Sequence, residues 1–306
     1  MRLELLELVD RFRGCNVAAI VTPNPTPRMG EMFDAFGKPA VAVVAPPNPG
    51  LGYVGTAFDH VKASKARVIL AIGGGSVMDT GKLIASWSGL PLGVVPTTAG
   101  TGAEATEFAT VYKDGRKQSV PCGLPTFRVV DAEVTMGMSP YLAACTGMDA
   151  LCHGLEAKWA KSGTARSNVF ATQAVEQALL HLIPSVVDPT EKTRFAMLIA
   201  AFRAGQAINV ARTTAAHALS YELTTQHGIP HGHAVALMML RVLRLRESRD
   251  VKADVSAAEF EALMNAVGLD KELPPQMPDR EWLVNDERLN NDPLITVDDI
   301  ATLTES

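Results

Sequence analysis

Four of the seven histidines, His217, His227, His231 and His233, fall within seventeen consecutive positions. Crowded imidazoles are a metal-binding pattern when a carboxylate or further histidine can join them. Upstream, Asp149 and His153 stand four residues apart, which puts both on one face of a helix and within reach of one ion. His217 sits in a helical segment, and His231 follows Gly228-Ile229-Pro230 at the mouth of the next helix, so a turn could bring the two together. Asp149, His153, His217 and His231 would supply three imidazoles and one carboxylate. That set suits Fe2+ or Zn2+ and is too rich in imidazole for Mg2+ or Ca2+. Taken singly, each histidine has the plainer reading of a hydrogen-bonded residue, and an Asp ahead of a His also stabilises a helix start.

A second kind of chemistry is written in the first half. Val68 to Ile72, Gly73-Gly74-Gly75-Ser76 and the stretch after them read as strand, glycine turn and helix start. Glycines let backbone N–H groups approach phosphate oxygens, and a helix N-terminus adds unpaired donors. The third glycine of the usual dinucleotide fingerprint is replaced by Met78, so the turn alone leaves phosphate binding and a simple tight turn both open. Pro96 to Glu104 carries three threonines and two glycines after another short apolar strand, at the end where open α/β sheets bind ligands. Lys117, in a hairpin-like stretch, could add a cation.

These groups need elements to hold them. Up to about residue 135 short β-branched runs (Val17 to Thr22, Ala40 to Ala45, Val68 to Ile72, Gly93 to Val95, Val129 to Val130) alternate with helix-compatible stretches. Alternation of that kind implies a mostly parallel sheet. Beyond residue 140 long segments with helical spacing dominate, and Thr146 is expected to cap the helix of Asp149. We therefore expect an α/β domain over 1–139 and an all-α domain over 140–306. Within 306 residues, 28 basic and 33 acidic side chains leave a net charge of −5, which disfavours nucleic acid and anionic membranes as partners. The first thirteen residues read as an amphipathic helix, unlike a signal peptide, and Pro39 to Phe58 is too broken by Pro and Gly to span a membrane. Four cysteines without C-x-x-C spacing fit a cytoplasmic protein.

In sum these motifs resemble the iron-containing (group III) alcohol dehydrogenases. The resemblance rests on Gly73 to Ser76 with Asp79, Pro96 to Gly102, Asp149-x-x-x-His153, His217 to Ser220 with Pro230-His231-Gly232, and the ending Asn285 to Pro293. It implies a dehydroquinate synthase-like architecture, in which an α/β nucleotide domain is joined to a helical domain with the metal in the cleft between them. It also implies metal ligands at Asp149, His153, His217 and His231, and dinucleotide contacts at Gly74, Gly75, Ser76, Asp79, Thr97, Thr98, Thr101 and Lys117. The phrases His217 to Tyr221 and Gly228 to Ala234 are most similar to the phosphonoacetaldehyde reductases, and a branch oxidising an eight-carbon sugar acid has nearly the same wording.

The expected reaction is NAD(P)-linked interconversion of an aldehyde and a primary alcohol, with Tyr221, His227 and His233 as candidates for a proton relay. Arg203, Arg212 and Lys158 are candidates to neutralise a phosphonate. Ala103 stands where the family usually has a serine. Thr22-Pro23-Asn24 lacks the carboxylate that would repel a 2′-phosphate, so NADPH is at least as well suited as NADH. The segment between Leu245 and Ala253 holds little of the helical hairpin expected there. A homodimer is the expected assembly. A dehydroquinate-synthase-like lyase and a non-catalytic metal and nucleotide binding protein are the alternative readings.

Overall fold

The computed structural model describes residues 12, 14–25, 27–113, 116–274 and 286–304. The helix expected over residues 1–13 therefore lies, apart from Phe12, outside the described residues. The chain forms two compact units: Met1–Thr98 with Gly102–Gly137, and Ala99–Thr101 with Met138–Ser306.

The first unit is α/β. Its elements run β1 (Val17–Val21), α1 (Pro27–Phe36), β2 (Val41–Val44), α2 (Leu51–Ala63), β3 (Val68–Gly73), α3 (Gly75–Ser88), β4 (Leu92–Pro96), β5 (Phe108–Lys113), β6 (Arg116–Pro121) and β7 (Phe127–Arg128). Five strands form a parallel sheet in the order β2-β1-β3-β4-β7, and β5 and β6 form a separate antiparallel hairpin. Successive residues of β3 point to opposite faces: Ile69 and Ala71 join Val54, Val61, Met78 and Ile84 from α2 and α3, whereas Val68, Leu70 and Ile72 join Met29 and Met32 of α1. Burial of both faces explains why these strands are apolar throughout instead of alternating. The last strand is displaced from its expected place at Val129 to Val130. Phe127 and Arg128 make the ladder with Gly93 and Val94, and Val129 adds one N–H bond to Val94 (3.0 Å) before turning into the core.

The second unit is helical, with α4 (Pro140–Trp159), α5 (Ala165–Val187), α6 (Glu191–Ala211), α7 (Ala215–His227), α8 (His231–Ser248), α9 (Ala257–Ala266), α10 (Glu287–Asn291) and α11 (Ile300–Thr304). The helix of Asp149 starts earlier than expected. Ser139 is its cap, accepting from the Leu142 N–H (3.2 Å), and Pro140 follows with a φ already suited to a first turn. Thr146 lies inside the helix and donates to the Leu142 carbonyl (2.9 Å). Residues 143–157 of α4 are nearly all buried, as befits a helix packed against α5, α6 and α8. Between Leu245 and Ala253, α8 runs on to Ser248, and an irregular segment leads to α9.

The segment around α10 fastens two turns. Asn291 donates through Nδ2 to the Ala211 and Thr213 carbonyls (2.8 and 3.1 Å) and accepts from Ser162 N and Oγ (3.0 and 2.9 Å). Nearby, the Arg246 guanidinium lies 4.2 Å from the Trp159 ring centre and pairs with Asp292. Among the described residues no helix is long and apolar enough to cross a membrane.

Candidate metal centre and dinucleotide loops

Asp149 projects from the middle of α4, His217 from the first turn of α7 and His231 from the first residue of α8. One side-chain donor atom from each lies within 4.8 Å of the other two. The approach of α8 depends on Gly232, where an added Cβ would fall 2.0 Å from the Cys145 carbonyl oxygen and 3.1 Å from the Asp149 Cβ. No real Cβ tolerates such a backbone contact, so only glycine lets His231 reach Asp149 here.

His217 Nε2 stands 3.3 Å from Asp149 Oδ1. Its other nitrogen, Nδ1, is bonded to Glu156 Oε2, and Glu156 Oε1 accepts from Thr214 Oγ1 (2.9 Å), Ala216 N (2.8 Å) and His217 N (3.3 Å). A buried carboxylate on Nδ1 fixes the ring and turns Nε2 outward, the arrangement that orients histidine ligands in metal sites. Glu156 is a residue that the sequence reading missed. It stands three after His153 and seven after Asp149 on the same helical face, and that spacing was the available signal.

His153 is near the group but outside the mutual 4.8 Å set: its ring stacks on His217 with centres 4.3 Å apart, and its Nδ1 is 3.8 Å from Asp149 Oδ1. Burial opposes ionisation of Asp149, yet His153, His217 and His231 together hold its carboxyl far below the usual carboxylate range. Burial likewise disfavours a charged His217, but Glu156 and Asp149 outweigh it and raise its pKa. The site therefore favours a carboxylate charge balanced by cations.

The three relay candidates go to different places. Tyr221 stacks on His231, with ring centres 5.7 Å apart and planes 13° from parallel. His233 is buried, with Nδ1 meeting the Tyr141 hydroxyl (3.0 Å) and Nε2 the Asp270 carbonyl (2.8 Å). A carbonyl can only accept, so Nε2 carries a proton and donates it to Asp270. Both nitrogens thus tie the first turn of α8 to α4 and to Asp270. His227 ends α7 exposed, and among the described residues no hydrogen bond joins it to the Asp149 group. The phosphonate candidates are also dispersed: Lys158 pairs with Asp254, Arg203 donates to Gln206 (2.8 Å), and Arg212 caps α6 at the surface.

In the α/β unit, β3 ends at Gly73 and α3 starts at Gly75 with Gly74 as a cap that offers no side chain. A Cβ at Gly73 would lie 2.4 Å from a Val77 methyl, so the strand and helix pack closer than any other residue permits. Thr98 faces Gly74, and the Thr97 N–H donates to the Gly73 carbonyl (3.0 Å). The Ser76 hydroxyl accepts from Asn48 N (3.1 Å). Asp79 is turned into the protein, accepting from Lys82 Nζ (3.4 Å) and Thr110 N (2.9 Å), and the charge of Lys117 acts on it. Thr101 belongs to the helical unit, and Ala103 opens a short buried 3-10 turn.

Comparison with known proteins gives concordant matches. The family described as iron-containing alcohol dehydrogenase matches residues 4–132, and its C-terminal counterpart matches 143–281. A phosphonoacetaldehyde reductase of Streptomyces viridochromogenes is 37% identical over 216 residues, 60% of this chain and 54% of that protein. An alcohol dehydrogenase of Schizosaccharomyces pombe is 32% identical over 237 residues, 70% of this chain and 56% of that one. The chain thus spans about half the length of the curated relatives it matches. The crystal structure of sulfoacetaldehyde reductase from Bifidobacterium kashiwanohense in complex with NAD+ superposes with a TM-score of 0.84 at 26% identity, covering 98% of this chain and 93% of that one.

Proposed function

The chain belongs to the iron-containing alcohol dehydrogenase family, and from that premise we propose that it interconverts a small aldehyde and its primary alcohol, using a nicotinamide dinucleotide and a divalent ion, Fe2+ or Zn2+. The observation that carries the reading is the convergence of Asp149, His217 and His231 within 4.8 Å, backed by Glu156. The donor chemistry fits such an ion: a carboxylate held ionised in a buried position, and imidazoles with His153 stacked beside them.

An ion held there would polarise the aldehyde oxygen as a Lewis acid while the reduced nicotinamide supplies hydride to the carbon. The chain's own residues do the rest. Asp149, His153, His217 and His231 hold the ion, and Glu156 keeps the His217 tautomer that presents Nε2. Of the three relay candidates we assign proton delivery to the Tyr221 hydroxyl, since Tyr221 alone of them stacks on a ligand histidine. Gly74, Gly75, Ser76, Thr97 and Thr98 form a backbone and hydroxyl cradle suited to a pyrophosphate. Asp79, Thr101 and Lys117 complete the dinucleotide contacts that the family resemblance implies. The absence of a carboxylate at Thr22-Pro23-Asn24 favours acceptance of NADPH alongside NADH. A phosphonate-bearing aldehyde is the preferred substrate over a sugar acid, in line with the identity to the Streptomyces reductase. Function as a cytoplasmic homodimer is part of the same proposal.

The test is anaerobic purification, metal analysis and NAD(P)H absorbance with a panel of aldehydes. Metal-dependent, stoichiometric oxidation of the dinucleotide is expected, and His217→Ala should lose metal and turnover together. Catalytic use of the dinucleotide without net consumption would favour the lyase reading. Bound metal with no turnover on any aldehyde would leave a binding protein.

A further inference from the structure

The stack on His231 does not end at Tyr221. The Arg288 guanidinium lies 4.8 Å from the Tyr221 ring centre, so His231, Tyr221 and Arg288 are linked by consecutive ring contacts within the helical unit. Arg288 is built to stay there. Asp286 caps α10, accepting from Arg288 N (2.8 Å) and Leu289 N (3.4 Å), and its second oxygen takes one guanidinium N–H (3.3 Å). Buried Leu289 and the Asn291 fastening fix the rest of this short helix. Among the described residues no other acceptor meets the guanidinium, and its side chain keeps 19% exposure. Asp286 occupies one corner of a fork with five N–H donors, so the fork retains enough to grip a second oxyanion.

Resting on the function proposed above, we infer that Arg288 is the residue that binds the charged end of the substrate, and that the preferred substrate is a short aldehyde carrying a tetrahedral oxyanion, a phosphonate or sulfonate. A guanidinium prearranged by Asp286 and Tyr221 loses little rotamer freedom when it takes such a group. None of the cations expected from sequence is placed this way, because Lys158 and Arg203 are tied to other partners and Arg212 caps a different helix. A purely structural role fits poorly. The Asp286 bond is local to α10, and the face of Tyr221 would be covered as well by an uncharged side chain.

The test compares the metal-loaded wild type with Arg288→Gln and Arg288→Lys on phosphonoacetaldehyde, sulfoacetaldehyde and propanal. Loss of a charge-assisted bond should lower kcat/KM of Arg288→Gln for the preferred anionic aldehyde by about 10- to 100-fold, at least about fivefold more than for propanal, whose smaller loss reports the contact with Tyr221. Arg288→Lys, which keeps the charge without the fork, should fall between, and it carries the test if the Gln variant does not fold. Whether phosphonate or sulfonate is favoured follows from the wild-type ratio. Equal losses on propanal and the anionic aldehydes would overturn the inference, as would no loss on either anion. Turnover of propanal alone by the wild type would overturn it while leaving the dehydrogenase reading intact. If the wild type reduces no aldehyde, that reading fails, and calorimetric titration of the metal-loaded protein with phosphonoacetate still decides Arg288: binding weakened about tenfold or more in Arg288→Gln is expected, and equal binding or none to the wild type would overturn it.

Discussion

Glu104 shows how far a single side chain can depart from its ordinary behaviour. It is 2% exposed, and burial pushes its carboxyl up to about 7 although its own backbone, Lys82 and Arg128 pull the other way. A carboxyl whose folded pKa lies above its unfolded value favours the neutral form, so its contribution to stability is present at low pH and is lost as pH rises through about 7. The thermal midpoint of the wild type is therefore expected to fall between about pH 4.5 and 7, and Glu104→Gln should flatten that fall. A variant that declines in parallel with the wild type would assign the effect to other groups. Asp149, His217 and His231 could be picked out from residue type and clustering because ligand chemistry admits few side chains. Glu156 could not be weighed in the same way. Its partners on the segment from Thr214 to His217 lie about sixty residues away in sequence, and its spacing from Asp149 and His153 marks a shared helical face without marking those partners. Arg288 stood in a motif whose residues had no separate roles until Tyr221 was seen beneath it.

At the scale of elements, the helix and strand alternation was readable because apolar runs differ in period and length. Boundaries were less so: the start of α4 lay in Ser139-Pro140, while Thr146 had the right side chain for a cap but a position inside the helix. The β5 and β6 hairpin carries Thr, Lys, Arg and Gln on strands that make a two-stranded sheet, so it lacks the apolar runs that mark the parallel strands. The junction of α4 and α8 gives the sharpest element-level prediction. Gly232→Ala sets a methyl against the Cys145 carbonyl, and α8 must shift to relieve it. We expect bound metal to be lost and stability to drop by about 1–3 kcal/mol or more, as overpacking costs elsewhere. Metal analysis and a denaturant titration of the variant check this. Full metal occupancy in Gly232→Ala would show that the first turn of α8 does not set the distance between His231 and Asp149.

At the scale of the molecule, every candidate ligand lies in one of the two compact units. Metal bound to the native state alone stabilises it by mass action, by about 2.7 kcal/mol at a hundredfold excess over Kd. Calorimetry with and without chelator should therefore move the transition of the helical unit while leaving that of the α/β unit in place. Equal displacement of both would mean that the two units unfold as one. The same arrangement governs how the site comes into being. Asp149 and His217 are separated by 68 positions in the chain, and His231 follows only at the start of α8. On a ribosome Asp149 and His153 emerge long before their partners, as a helical pair with too few donors to retain an ion. Competition among cellular metals is thus deferred until α8 has docked, and the identity of the ion is decided by a nearly finished helical unit instead of by a nascent peptide.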